Sequence, residues 1–587
     1  MTSLTRHLSA IVGQAFAELD LPAELGATRQ SDRPDLAPFQ CNGAMAAAKL
    51  ARKAPRDIAA EVVARLSGHP DIHEPEIAGP GFINLTPRPE FLARWMNGLA
   101  DDDRLGLLKP GEGKTVIVDY GGPNVAKPMH VGHLRASIIG EAIKRLFKAA
   151  DYRAIGDVHL GDWGLPMGML ISELAERQPD LPYFDPAATE FPDASPVTLS
   201  DLERLYPEAA AACEQDPERA ERARLATAEL QAGRSGYRAL WQHFIDISIA
   251  AMRRDFAALG VEFELWKGES DVDALMAPMC EDLRGKGVAE QSDGAWIVQV
   301  ARDDDKTDIP PVILLKSDGS ANYATTDMAT IVDRVAQHDP SAMLYVVDQR
   351  QALHFEQVFR AARRGDLVDA ETGLEFIGFG TMNGPDGRPF KTRKGGVMRL
   401  SNLIDMAVER ARERLKQEGL GQDYDDEEQE RIANQVGLAA LKFADLQSYR
   451  LTNYIFDIDR FTAFEGKTGP YLLYAAVRIK SMLRKADEQG LAAGPVQAPS
   501  AADAALAITL GEFPTAVANA LDRRAPNELC DYVYQLSQAF SRFYADCHVL
   551  SEPDAARRAG WLQLSSLTLK TLEKALDILG IEIPNRM

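Results

Sequence analysis

The chain has 587 residues, 45% of them apolar and 26% charged, a balance that suits a soluble globular protein and a length that implies roughly three to five domains rather than one core. A formal net charge of −22 argues against a surface that binds nucleic acid everywhere, yet leaves room for local basic clusters. The five cysteines (Cys41, Cys213, Cys280, Cys530, Cys547) are scattered, odd in number and without a CxxC pair, so neither a disulfide framework nor a zinc site is expected, and a reducing cytoplasm is the simplest setting.

At the N-terminus Leu4, Leu8, Ile11 and Leu19 recur at helical spacing, while Gln14 and Glu18 interrupt any signal-peptide core, so a soluble amphipathic helix is predicted. No run approaches the ~18 apolar residues of a membrane span. Residues 1–110 read as a separate α/β unit that closes on Gly79-Pro-Gly-Phe-Ile-Asn-Leu85, a turn into a short strand, and on the acidic linker Asp101-Asp-Asp103. Over 111–400 strand and helix patterns alternate. The apolar runs 115–120, 311–315, 343–347 and 374–380 are short and nearly continuous, as buried parallel strands are. A polar stretch near 179–235 reads as a helical insertion, and one near 262–310 as short strands and turns. Residues 401–464 form a helical connecting region, with Ser401 as N-cap and Gly419 as stop, and 465–587 a helix bundle. The predicted fold is therefore multidomain α/β: a Rossmann-like parallel sheet core with insertions, an N-terminal α/β domain and a C-terminal all-helical domain.

The segment carrying most information is Pro123-Asn-Val-Ala-Lys-Pro-Met-His-Val-Gly-His133, which follows the first core run and enters an amphipathic stretch. It reads as a strand, a tight loop and a helix start, where free backbone N–H groups and the helix dipole favour an anion. His130 and His133 stand one turn apart, and Gly132 between them lets a base or phosphate approach the backbone. The loop is neither GxGxxG nor GxxxxGK[ST]. Two histidines on a phosphate loop point to chemistry at the α-phosphate of ATP, although by themselves they describe a structural pair equally well.

The longer string Asp119-Tyr-Gly-Gly-Pro-Asn-Val-Ala-Lys-Pro-Met-His-Val-Gly-His-Leu-Arg135 resembles the ATP-binding stretch of arginyl-tRNA synthetases, a class I family. The likeness continues through His159-Leu-Gly-Asp-Trp-Gly164, Tyr323-Ala-Thr-Thr-Asp327, Gly380 to Gly396, Phe39-Gln-Cys-Asn-Gly-Ala-Met45, Gly469-Pro-Tyr-Leu-Leu-Tyr474 and the terminal Asn585-Arg-Met587. It implies ATP-dependent formation of arginyl-adenylate, with Mg²⁺ accompanying ATP, and transfer to the terminal adenosine of tRNA(Arg), first at the 2′-OH. Bound tRNA is expected to be needed for activation. A monomer with no membrane contact is also expected.

On this resemblance the ATP site comprises Pro123, Asn124, Lys127, His130, Gly132, His133 and Lys391, and the catalytic groups are His130, His133, Lys127, Lys391 and Arg393. The class pattern KMSKS is replaced here by Phe390-Lys-Thr-Arg-Lys394, so Lys127 is expected to supply the missing cation. Arginine would be held by Asp119, Asn124, His130, Tyr323, Asp327 and Gln351, since a guanidinium presents five donors and needs acidic partners. Tyr323 and Asp327 are spaced to share one helix face. For tRNA the expectation rests on Tyr471, Tyr474 and Arg478, whose rings and guanidinium could stack on bases or belong to a core stripe, and on Gln40 and Asn42 in the N-terminal unit. The clusters Lys49, Arg52, Lys53, Arg56 and Arg478, Lys480, Arg484, Lys485 read either as RNA contacts or as solvated helix faces. Two other readings fit the same motifs: an adenylating core for a different carboxylic acid, and a synthetase-like protein kept for RNA binding.

Overall fold

The computed structural model describes residues 3–384, 386–388, 390 and 398–587. Its centre is a four-stranded, all-parallel sheet in the order Gly373–Phe379, Ala342–Asp348, Thr115–Tyr120, Arg153–Asp157. Alternation along the strands divides their side chains between two cores. Val116, Val118, Tyr120, Leu344 and Val346 join a core that extends under the Val131–Ala149 helix into both end regions. Ile117, Met343 and Tyr345 face a second core built with the helices Tyr323–His338 and Ala352–Arg364. The Thr115–Tyr120 strand continues to Arg153–Asp157 on one side, and the chain later returns to Ala342–Asp348 on the other. Strand order therefore reverses beside Thr115–Tyr120, and the loops leaving the carboxyl ends open a crevice where α/β sheets bind ligands.

The run at 311–315, expected in this sheet, lies elsewhere. Val312–Leu315 pairs antiparallel with Ala295–Val298, which pairs with Ala289–Ser292 in a small separate sheet. The physical reason is that one face of the strand is wet: Ile313 is exposed while Val312 and Leu314 are buried. The true fourth strand, Arg153–Asp157, carries only one large apolar residue, Ile155, and ends on a buried aspartate held by Arg334. Residues 262–310 also hold a full helix, Asp273–Gly285, beyond the strands and turns expected.

The polar insertion is helical, with Leu199–Gln215 and Pro217–Gln231 capped by Thr198 and Asp216. The helix after the basic flap starts at Leu400 with Arg399 as N-cap, so Ser401 sits inside its first turn; Gly419, at φ +69°, does end it. The N-terminal region folds as a four-stranded antiparallel sheet with helices, beginning with Leu4–Ala17 capped by Ser3. From Gly469 onward the described residues are helices and connecting turns. The ends of the chain meet: Thr5 N–H donates to Glu512 (2.8 Å), and Asn97 exchanges two bonds with the Val496 backbone. One stretch, Asp503–Arg523, is long and apolar enough to cross a membrane by length and composition alone, but Asp503, Glu512 and Asp522 keep it from being a continuous apolar run. It consists of two helices meeting at Glu512, and about half of it is buried against the rest of the protein.

Candidate active site

The 121–131 loop is held by the turn at Gly161 and by Ser248. Val125 N–H donates to Gly161 O (3.0 Å) and Gly161 N–H to Pro123 O (3.3 Å), which zips the loop to the turn after the Arg153–Asp157 strand. The missing side chain of Gly161 makes room for the Asn124 amide, since a Cβ would lie 2.1 Å from Asn124 Oδ1. Ala126 N–H donates to the buried Ser248 hydroxyl (3.0 Å), fixing Ala126 at φ +63°. On the turn, His159 also has positive φ, +26°. Such strained backbone persists where surrounding contacts over-determine it, as at ligand sites.

At the helix start the expectation of free N–H groups does not hold. Val131 N–H donates to Met398 O (3.0 Å), Gly132 N–H to His130 Nδ1 (3.0 Å), and His130 N–H to His133 Nδ1 (3.1 Å). The two imidazoles, 4.0 Å apart between ring centres, form a reciprocal cap that uses the donors themselves. Because each Nδ1 accepts, each neutral ring carries its proton on Nε2. Burial, then His130, pushes His133 down to about 3; burial, then Lys127, lowers His130. The rings are therefore neutral Nε2–H donors, so the donors this helix start can offer a ligand lie on side chains rather than on the backbone. Gly132 serves the protein first: a Cβ there would stand 2.7 Å from His130 Cε1.

Both stems of the basic flap are anchored. The entering pair Met382–Asn383 runs parallel to Tyr454–Ile455, and the exit pairs with the histidine loop through Val131 N–H to Met398 O and Leu400 N–H to Met129 O (both 3.0 Å). Lys391 and Arg393, with Lys394, lie outside the described residues. Lys127 Nζ stands 4.5 Å above the ring of Tyr206 on the Leu199–Gln215 helix.

The acidic side of the crevice gathers residues from several elements. Tyr323 and Asp327 lie on one helix as predicted, with Tyr323 69% exposed. Asp327 Oδ2 is 2.6 Å from His354 Nε2. Asp119, at the end of its strand, accepts from Arg334 Nη2 (2.5 Å), which also bonds Asp157 (2.8 Å). Burial pushes the Asp119 carboxyl up against the pull of Arg334. Gln351 lies in the exposed turn beyond Ala342–Asp348. Three residues escaped the sequence reading. Glu269, on a turn packed against the Tyr323–His338 helix, is raised to about 7 by burial and then by the charges of Asp162 and Asp327. His354 holds Asp327, and the buried Tyr345 hydroxyl has no partner among the described residues. A cation would relieve the Asp327 and Glu269 charges together. No motif flags these three; only the fold brings them to one crevice.

Away from the crevice, Tyr474 (42% exposed) and Arg478 form an outward face of the Gly469–Glu488 helix, with the Arg478 guanidinium 4.3 Å above Tyr544. Tyr471 is half-buried against Tyr534 (5.7 Å), as a core stripe would be. Lys480 pairs with Glu573, leaving Arg484 and Lys485 exposed. Gln40 is half-buried and donates to Asn84 (3.0 Å), while Asn42 caps the Gly43–Ala51 helix without a side-chain bond. Lys49, Arg52, Lys53 and Arg56 are exposed together.

Residues 96–458 match the family described as tRNA synthetases class I (R), catalytic domain; residues 472–587 match the DALR anticodon binding domain, and 3–86 the arginyl tRNA synthetase N terminal domain. An arginine–tRNA ligase of Maricaulis maris is 55% identical and one of Hyphomonas neptunium 51%, each aligned over 100% of both chains. In fold the chain is similar to the arginyl-tRNA synthetase of Plasmodium falciparum (TM-score 0.82, 23% identity) and that of Thermus thermophilus (0.79, 23%), both covering 100% of each chain.

Proposed function

The chain belongs to the arginyl-tRNA synthetases and is an arginine–tRNA ligase that uses ATP, L-arginine and tRNA(Arg), and from that premise we propose how its residues divide the work. The arginine carboxylate attacks the α-phosphorus of ATP and pyrophosphate leaves; a hydroxyl of the terminal adenosine of tRNA then attacks the carbonyl of the arginyl-adenylate, taking the arginyl group while AMP leaves. His130 and His133 donate from Nε2 to the α-phosphate oxygens, where charge develops in the transition state. Lys127 adds positive charge from the same loop, with Lys391 and Arg393 of the flap and with Pro123, Asn124 and Gly132 shaping the nucleotide seat. Asp327, Tyr323 and Gln351, joined by Glu269, hold the guanidinium; Asp119, Asn124 and His130 orient the α-amino and carboxylate groups. The observation that carries this reading is the reciprocal histidine cap, which leaves two neutral Nε2–H donors without an acceptor among the described residues, beside a cation.

The described residues contain no group of three or more His, Cys, Asp and Glu side chains arranged to hold a metal, and the reading assigns Mg²⁺ to the oxygens of the triphosphate it accompanies. The units divide as 1–110 for tRNA binding, 111–400 for catalysis, 401–464 as connector and 465–587 for the anticodon. Gln40, Asn42, Tyr471, Tyr474 and Arg478 contact tRNA. Activation awaits bound tRNA, the 2′-OH is acylated first, and the enzyme works as a monomer in the cytoplasm away from membranes.

The test is pyrophosphate exchange and charging with purified tRNA. His133→Ala is expected to slow adenylation by about 10²–10³-fold, the scale of a lost transition-state donor, with tRNA affinity unchanged. Unimpaired exchange by that variant would remove the proposed role.

A further inference from the structure

The insertion helix Leu199–Gln215 touches the ATP loop and the flap exit at once. Tyr206 lies under Lys127 Nζ at 4.5 Å from its ring centre. One turn earlier, Glu203 Oε2 is 2.7 Å from Arg399 Nη2. Arg399 is the N-cap of the helix after the flap and is bridged through backbone to His130. The two side chains of one helix therefore hold the two cations that flank the histidine loop. Glu203 is largely buried at this contact. The helix is itself anchored: Leu202 and Leu205 are buried, Thr198 caps it, and Arg204 reaches back to Asp201.

Lysine has a long flexible stem, and an unrestrained ammonium would spend most of its time in water. A ring beneath it narrows that range without neutralising the charge, which a carboxylate in the same place would do. From this juxtaposition we propose that Tyr206 is a positioning residue for Lys127, and that the insertion helix is part of the activation machinery. It rests on the reading of Lys127 as an ATP-site cation. Glu203 fixes the flap exit on the same helix, so the loop cation and the flap stem keep a common frame.

The experiment replaces Tyr206 with phenylalanine and then with mono-, di- and trifluorinated phenylalanine, which leave ring shape nearly constant while draining the charge of its face. Pyrophosphate exchange is measured with saturating tRNA(Arg), in the natural chain and in Lys127→Ala. Exchange is expected to fall stepwise with fluorination, by about two- to tenfold overall, the range of a partly shielded cation–π contact. With Lys127→Ala the series should be flat, and Tyr206→Leu should add nothing. An equal fluorination slope in both backgrounds, or none in either while Lys127→Ala alone abolishes exchange, would overturn the positioning role. Full activity of Lys127→Ala would instead overturn the ATP-site reading beneath it.

Discussion

Asp445→Asn strands a buried cation, and the consequence can be sized. The Arg135 guanidinium, 2% exposed, gives Nε to Asp445 Oδ1 at 2.7 Å and Nη1 to Thr452 O at 3.2 Å; Nη2 and Asp445 Oδ2 have no partner among the described residues. Both side chains are almost fully out of water, so the guanidinium depends on this carboxylate for its charge compensation. Removing one partner of such a pair typically costs about 3–5 kcal/mol, whereas replacing both with apolar groups is near neutral or stabilising. Asp445→Asn should therefore lose about 3–5 kcal/mol in urea unfolding followed by circular dichroism, and Arg135→Met with Asp445→Leu should recover most of it. The single variant should also raise the KM for ATP, because Thr452 precedes the Tyr454–Ile455 strand that anchors the flap entrance. A loss under about 1 kcal/mol for Asp445→Asn, or a double variant as unstable as the single, would refute this account.

Glu269, held at about 7, is expected to couple arginine binding to pH. Its folded value lies above its unfolded one, so its charge costs stability as pH rises through about 7, and a guanidinium offsets that cost. Arginine affinity by titration calorimetry should increase from about pH 6 to about pH 8, by at most about tenfold per unit below the pKa, with Glu269→Gln giving a flat profile. His133 has the opposite sign. Its folded value of about 3 lies below the unfolded 6.5, so its contribution is present above about 6.5 and fades as pH falls toward about 3, by up to about 1.4 kcal/mol per unit. His133→Gln should remove that slope from acid-range unfolding. Arg478→Ala should weaken tRNA binding and reduce its logarithmic salt slope by about 1, leaving the KM values for ATP and arginine unchanged; an unaltered salt slope would assign Arg478 to packing on Tyr544.

Much of this was legible from residue order because local chemistry decides it. The histidine loop needs a strand before it and a helix after it, and both are written within a short span. Tyr323 and Asp327 share a helix turn for the same reason. What escaped depends on distant partners. The 311–315 run is apolar enough for a buried strand, but its neighbours, not its composition, determine that Ile313 faces water. Arg399 rather than Ser401 caps its helix because the chain there is paired with Met129–Val131. Glu269 carries no signature of its own; it becomes notable only when the fold brings it beside the Asp162 and Asp327 charges.

The pairing of Met398 and Leu400 with Val131 and Met129 also bears on how the protein is made. The loop proposed as the nucleotide seat is sewn from segments near the first quarter and the last third of the chain, so local folding of the early half cannot complete it. A nascent polypeptide still short of Leu400 would have a histidine loop whose first helical N–H lacks its acceptor. The enzyme that charges tRNA for the ribosome would therefore complete the ATP site proposed above only when most of its own chain has left one.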